Sequence, residues 1–250
     1  MKSVLLVTGS SGIAAATARL WAADNPVFVV GINEGECRSL AAELGEASFA
    51  VADVRDETAV RDAVAACLDR FGRIDALFNV AGISARPAGD GPLHVCKSEA
   101  WDLVMDVNAK GTFLMCREVV SVWMKAAQAG AILNCGSVLA RHPQRDYFAT
   151  VSYAASKGAI EAMSTATAAY YAPSGIRVNV IAPGLVRTPM TARAQANPQI
   201  TKYMTHKQPL TKGLLSAEDV ARTASFLLRS DSSPITGQII TVDGGWTVSE

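Results

Sequence analysis

Short runs rich in Val, Ile and Leu alternate with longer amphipathic runs from one end of the chain to the other. The short runs fall at 4–7, 27–30, 48–52, 76–79, 131–134, 177–181 and 239–242. Most are nearly continuous in apolar character, which is what strands buried on both faces require. The long runs, at 13–23, 35–44, 57–71, 100–124, 152–171 and 217–228, repeat apolar residues every three or four positions and predict helices. The last carries Ser216 and Asp219 near capping-box positions. Such alternation predicts an α/β fold: one doubly wound, Rossmann-type domain over 1–250, with a seven-stranded parallel sheet and helices on both faces.

Two stretches break the rhythm, the Pro- and Gly-rich 84–98 and the long 184–213. Both follow carboxyl ends of expected strands, where open parallel sheets bind ligands, and with 138–152 they are the expected substrate loops.

Composition narrows the class. With 250 residues, half of them hydrophobic, the chain can bury a large core. Its 23 basic and 23 acidic residues cancel, so no global field draws it to nucleic acid or to an anionic membrane surface. The five cysteines form no CxxC pair and have no histidines at metal spacing, so reduced thiols and no metal site are expected. The first apolar run meets Thr8-Gly9 too early for a signal-peptide core, and no run approaches the ~20 residues of a membrane span. A cytoplasmic address follows as the expectation.

The first strand leads into Thr8-Gly9-Ser10-Ser11-Gly12-Ile13-Ala14-Ala15 and then a helix. Gly9 suits the positive φ of a tight turn, and Gly12 lets a pyrophosphate approach the backbone beside Ser11 and Ile13. The helix N-terminus then faces that phosphate with free N–H groups. Asp53-Val54 ends strand three, where the carboxylate either accepts the adenine amino hydrogen or caps the helix starting near Asp56. Asn79, Ala81 and Gly82 end strand four with small residues beside the expected cofactor. After strand two, Gly31-Ile32-Asn33 supplies neither an acid nor an arginine for the ribose 2′ position. Glu34 and Glu36 lie close by, Asn33 is a further contact, and a 2′-phosphate would want a cation, so NAD is favoured over NADP without excluding it.

Tyr153 and Lys157 stand at i and i+4 in a helical run, on one face. An ammonium beside a phenol favours the phenolate, and so does an oxidised nicotinamide, which brings the group toward the range of a useful base. With five tyrosines and eight lysines in 250 positions, chance places such a pair roughly 0.16 times. Two occur, and the second, Tyr203 with Lys207, lies in the irregular stretch without a serine upstream and is expected to be a lid or surface helix. Ser137 follows strand five, where its hydroxyl can hold the reacting oxygen against the phenol. Asn108 interrupts a helical pattern on its sheet-facing side, as either a satisfied buried amide or a functional group.

Seven ordered motifs resemble a short-chain dehydrogenase/reductase of the common 250-residue type, from Thr8 to Gly245. They are Thr8-Gly9…Gly12-Ile13, Asp53-Val54, Asn79-Val80-Ala81-Gly82, Val107-Asn108, Ser137 with Tyr153…Lys157, Arg177–Gly184 and Thr236…Gly245. The resemblance implies Tyr153 as acid/base, Lys157 as its activator and ribose ligand, Ser137 as substrate positioner and Asn108 as holder of a relay water. It implies Pro183, Gly184, Val186 and Thr188 along the nicotinamide, and a homotetramer. Three features depart from the family pattern. The first turn is one residue shorter, with Ala14 in place of the last glycine; Val80 replaces an asparagine; and Ser137 and Tyr153 are sixteen apart, about three more than usual.

The enlarged loop between them carries Arg141, His142 and Arg145, and 185–217 adds Arg187, Arg193, Lys202, His206, Lys207 and Lys212 with no acidic residue. In a neutral chain this excess suggests an anionic small-molecule substrate, with Arg141, Arg145 and Arg187 as candidate contacts. The expected activity is hydride transfer between a nicotinamide cofactor and a secondary alcohol or ketone. An NADPH-dependent ketoreductase of the acyl-carrier type and a catalytically silent nucleotide sensor on the same fold are the alternatives.

Overall fold

The computed structural model describes residues 2–249. In chain order it contains β1 (Leu5–Thr8), α1 (Gly12–Ala22), β2 (Val27–Gly31), α2 (Glu34–Glu43), β3 (Ala47–Val51), α3 (Glu57–Phe71) and β4 (Ala76–Asn79). There follow α4 (Ser98–Val104), α5 (Gly111–Ala126), β5 (Gly130–Cys135), α6 (Arg145–Phe148), α7 (Val151–Tyr171) and β6 (Ile176–Pro183). The last elements are α8 (Ala192–Gln195), α9 (Pro198–Lys207), α10 (Ala217–Leu228) and β7 (Ile239–Val242).

The seven strands form one parallel sheet in the order β3-β2-β1-β4-β5-β6-β7. Alternate residues of one strand feed two cores. Leu5 and Val7 pack with Ala14, Trp21 and Leu227 from α1 and α10, whereas Val4 and Leu6 pack with Val60, Met115 and Trp123 from α3 and α5. Every residue of β1, β2 and β4 is buried, so the continuous apolar runs reflect burial on both faces. The winding reverses between β1 and β4, and the crevice at their carboxyl ends is where the loops gather.

Helix starts divide into two kinds. Asn33 caps α2, Asp56 caps α3, and Ser216 with Asp219 forms the capping box of α10. Thus Asp56, not Asp53, caps α3. The starts of α1 and α7 have no side-chain cap from their own N-cap residue, and residues of both first turns, Gly12, Ile13 and Tyr153, line the crevice.

The helix expected at 100–124 is instead α4 and α5 joined by a π-helical segment, Met105–Lys110. The wider turn shifts the apolar phase over only six residues, too few for periodicity to reveal it. Two of the three expected substrate loops also hold short helices, α6 in 138–152 and α8 and α9 in 184–213, the last carrying the Tyr203–Lys207 stretch expected as a lid or surface helix.

Candidate active site

β1 delivers Gly9 at φ +100° and α1 opens on Gly12 at φ +55°, a left-handed backbone that glycine alone adopts without strain. A Cβ on Gly12 would lie 2.9 Å from Thr188 Cγ2. The first turn of α1 carries no acid, so its N–H groups and the positive end of its dipole are left for an anion. Gly9, Ser11, Gly12, Ile13, Ala81, Gly82, Tyr153, Lys157, Pro183, Gly184, Val186 and Thr188 all line one cleft here. The fit to a dinucleotide is good: an uncapped helix end for the diphosphate, and small residues where a flat ring must lie.

Four expected cofactor contacts lie outside that lining. Asn33 is engaged in capping α2. Asp53 grips Arg55, whose guanidinium holds the carboxyl below its ordinary range despite partial burial. Val54 packs where Gly111 approaches, so closely that a Cβ there would sit 2.6 Å from Val54 Cγ2. Asn79 turns inward, donating from Nδ2 to Asn134 Oδ1 at 2.9 Å. Beside the first turn, Ser10 Oγ donates to Glu36 Oε2 at 2.7 Å, while Arg38 pairs with Glu34 and stacks over Phe49.

The chemistry-bearing residues meet where the cleft deepens. α7 carries Tyr153 and Lys157 on one face, with Lys157 Nζ 5.6 Å from the Tyr153 ring centroid and donating to Cys135 O at 2.7 Å. Ser137 starts a short turn after β5 and its Oγ accepts from Leu139 N at 3.2 Å, which leaves its own hydrogen for another acceptor. Asn108, fully buried in the π segment, accepts from Ile83 N at 2.8 Å and donates to Ile83 O and Ser156 Oγ, both at 3.0 Å. Its side chain therefore braces the β4 loop against α7. Burial raises the Tyr153 phenol, the Cys135 thiol adds to the rise, and Ser137 opposes it. Burial lowers Lys157. The protein alone keeps the phenol protonated; the lowering expected from the ammonium is not what dominates, because desolvation of the phenolate is larger.

α7 is capped from outside. Buried Asp90 accepts from Ser152 N at 3.1 Å and Tyr153 N at 3.2 Å, and Gly91 O accepts from Val151 N at 3.1 Å. Asp90 had no sequence signal beyond standing between glycines.

A second cavity of about 550 Å³ opens on the other side of Ser137 and Tyr153. Arg86 and Arg193 line it; Arg141, Arg145 and Arg187 do not. Arg141 is held by the buried Glu161 at 2.7 Å, anchoring 138–152 to α7, and the Arg145 side chain is 97% exposed. Arg187 is fixed through its backbone N–H to Leu215 O. The second Tyr-Lys pair lies on α9, outside the lining of both the cleft and the second cavity: Tyr203 packs on Tyr147, and Lys207 Nζ donates to Ser249 O at 2.6 Å.

Residues 7–247 match a family model described as enoyl-(acyl carrier protein) reductase. The chain is 37% identical over 249 residues to a cis-4-hydroxycyclohexanecarboxylate dehydrogenase of Sinomonas cyclohexanicum, covering 98% of this chain and 96% of that protein. It is 34% identical to a 3-oxoacyl-[acyl-carrier-protein] reductase of Thermotoga maritima, covering 98% of each. Among solved structures, a 3-ketoacyl-(acyl-carrier-protein) reductase from Brucella melitensis complexed with NADH superposes with a TM-score of 0.87 at 30% identity, covering 98% of both chains.

Proposed function

The chain belongs to the short-chain dehydrogenase/reductase family and is a nicotinamide-dependent oxidoreductase, and from that premise we propose that it interconverts a secondary alcohol and its ketone with NAD(H). The observation that carries this reading is the convergence of Ser137, Tyr153 and Lys157 where the cleft meets the second cavity. The bound nicotinamide supplies or accepts the hydride. Everything else falls to side chains of this chain. Ser137, one lone pair of which is taken by Leu139 N–H, donates its hydrogen to the substrate oxygen. Tyr153 gives that oxygen a proton on reduction and takes one on oxidation. Lys157 would hold the ribose hydroxyls, and its charge together with that of an oxidised cofactor would draw the phenol downward. Asn108 acts by bracing α7 against the β4 loop, with the relay water left to its backbone surroundings.

The preference for NAD rests on Glu36. Its carboxylate lies against Ser10 in the diphosphate turn, and the neighbouring cation Arg38 is already neutralised by Glu34. A 2′-phosphate brought there meets negative charge, whereas a 2′-hydroxyl finds an acceptor. Glu36→Gln is expected to narrow the NADH-to-NADPH ratio of kcat/KM by about tenfold (~1.4 kcal/mol). The likeness to the Thermotoga protein keeps one other reading in view, an acyl-carrier ketoreductase using NADPH. Activity with each reduced cofactor separates the two.

We also propose a cytoplasmic homotetramer. The α4–α5–α7 side exposes Trp101, Phe113, Met124 and Tyr170, apolar area suited to a symmetric contact. Light scattering reads the mass directly.

The decisive experiment is Tyr153→Phe. A loss of about 10³-fold or more in kcat with NADH affinity unchanged is expected; turnover within threefold of the wild type would end the assignment.

A further inference from the structure

The second cavity is mostly apolar. Leu139, Phe148, Leu185, Met190 and Trp246 form its walls, and among its lining residues Arg86 and Arg193 carry the only charges. These two come from different parts of the chain, Arg86 from the loop after β4 and Arg193 from α8. Both aim at one backbone oxygen: Arg86 Nη2 donates to Tyr147 O at 3.0 Å and Arg193 Nη2 to the same atom at 3.3 Å. Two guanidiniums that share one acceptor stand side by side, each with most of its donors still free. Among the described residues, neither has a carboxylate within 4.0 Å.

Many other arginines, among them Arg19, Arg38, Arg55, Arg117, Arg141 and Arg222, have an acidic partner, and of those without one only Arg86 and Arg193 meet at this cavity among the described residues. A like-charged pair with no carboxylate in contact beside apolar walls is costly: burial first and then Arg193 lower Arg86, and the more distant Asp90 opposes them only in part. A bound anion removes that cost. Planar carboxylate matches the guanidinium fork and can bridge the two.

The geometry points to a substrate that is a hydroxy acid (or its oxo form) with an apolar body: the carboxylate bridges Arg86 and Arg193, the hydrocarbon lies on the Phe148–Trp246 walls, and the carbinol reaches Ser137 and Tyr153. This rests on the alcohol–ketone reading above and names its substrate class. The apolar lining favours a single carboxylate over a sugar phosphate, whose hydroxyls would find few partners there.

Binding without turnover tests it. Calorimetry of cyclohexanecarboxylate and of its methyl ester against protein loaded with NADH is expected to give at least tenfold tighter binding of the acid. Arg86→Ala and Arg193→Ala should each remove most of that preference while leaving the ester unchanged. Arg86→Lys, which keeps a charge and a donor for Tyr147 O but not the fork, should fall between, and guards against a folding defect in the alanine variant. Equal affinity for acid and ester in the wild type, or parallel losses for both in the variants, overturns the assignment. So does tighter binding of cyclohexyl phosphate than of the carboxylate. A failure of the alcohol–ketone reading is distinguishable, since it appears as full turnover by Tyr153→Phe whatever these affinities are.

Discussion

One absent methyl group keeps the nucleotide cleft open at Gly12, where the backbone is left-handed and Thr188 stands in the path of any Cβ. Gly12→Ala combines strain of about 1–2 kcal/mol with loss of phosphate approach, so NADH affinity measured by fluorescence titration should fall at least tenfold while the fold persists. At Tyr153 the sign of the pH response follows from its raised phenol. The neutral form donates the proton in reduction, so kcat/KM for the ketone should stay flat through neutral pH. The oxidation direction needs the phenolate, so its kcat/KM should climb with pH from 6 to 9. A profile that fell over that interval would contradict the role given to Tyr153. At this scale the sequence was most informative about local relations. Tyr153 and Lys157 are one helical turn apart, and the turn at Gly9–Gly12 is a contiguous stretch, so both could be read from spacing. The pairing of Arg86 with Arg193 depends on where two distant segments converge, and charge counting did not find it: it took Arg141, Arg145 and Arg187, none of which lines the second cavity, and passed over Arg86, which does.

Helix α7 carries Tyr153 and Lys157, yet its first turn is closed by a residue from another segment. Asp90 and Gly91 receive the N–H groups of Val151, Ser152 and Tyr153, so the loop at 84–98 fixes where the phenol begins. Removing that carboxylate with Asp90→Ala should cost roughly 1–2 kcal/mol, read as a lower thermal midpoint. It should also lower kcat more than cofactor affinity, because α7 and not α1 is displaced. Asp90→Asn, which keeps one acceptor oxygen, should recover part of both. Elements with continuous apolar runs were legible because burial on both faces leaves no polar positions to confuse the pattern, as in β1, β2 and β4. The π segment at Met105–Lys110 was not, since its cause is tertiary: Asn108 is held between Ile83 and Ser156, and nothing local announces that brace.

Across the whole molecule, four of the five cysteines are buried, and burial pushes the Cys67 and Cys116 thiols from 9.0 up to about 12. The folded state therefore keeps those protons after the unfolded chain has lost them. Stability is full below pH 9 and should decline as pH rises from there toward about 12, visible as a falling urea midpoint between pH 9 and 11. A thiol reagent at pH 8 should titrate one group quickly, Cys96, and the others only after denaturation. The fold class was readable over the full length, whereas the use of its loops depended on short helices that single-sequence periodicity does not resolve. The cleft and the second cavity share a wall made of Ser137, Tyr153, Gly184, Met190 and Thr191. The two spaces thus meet at those residues, so a ketone held in the second cavity would be open to a cofactor in the cleft from one side. Reduction of a prochiral oxo acid should accordingly yield a single enantiomer, and the handedness of the product is written into the fold before any substrate arrives.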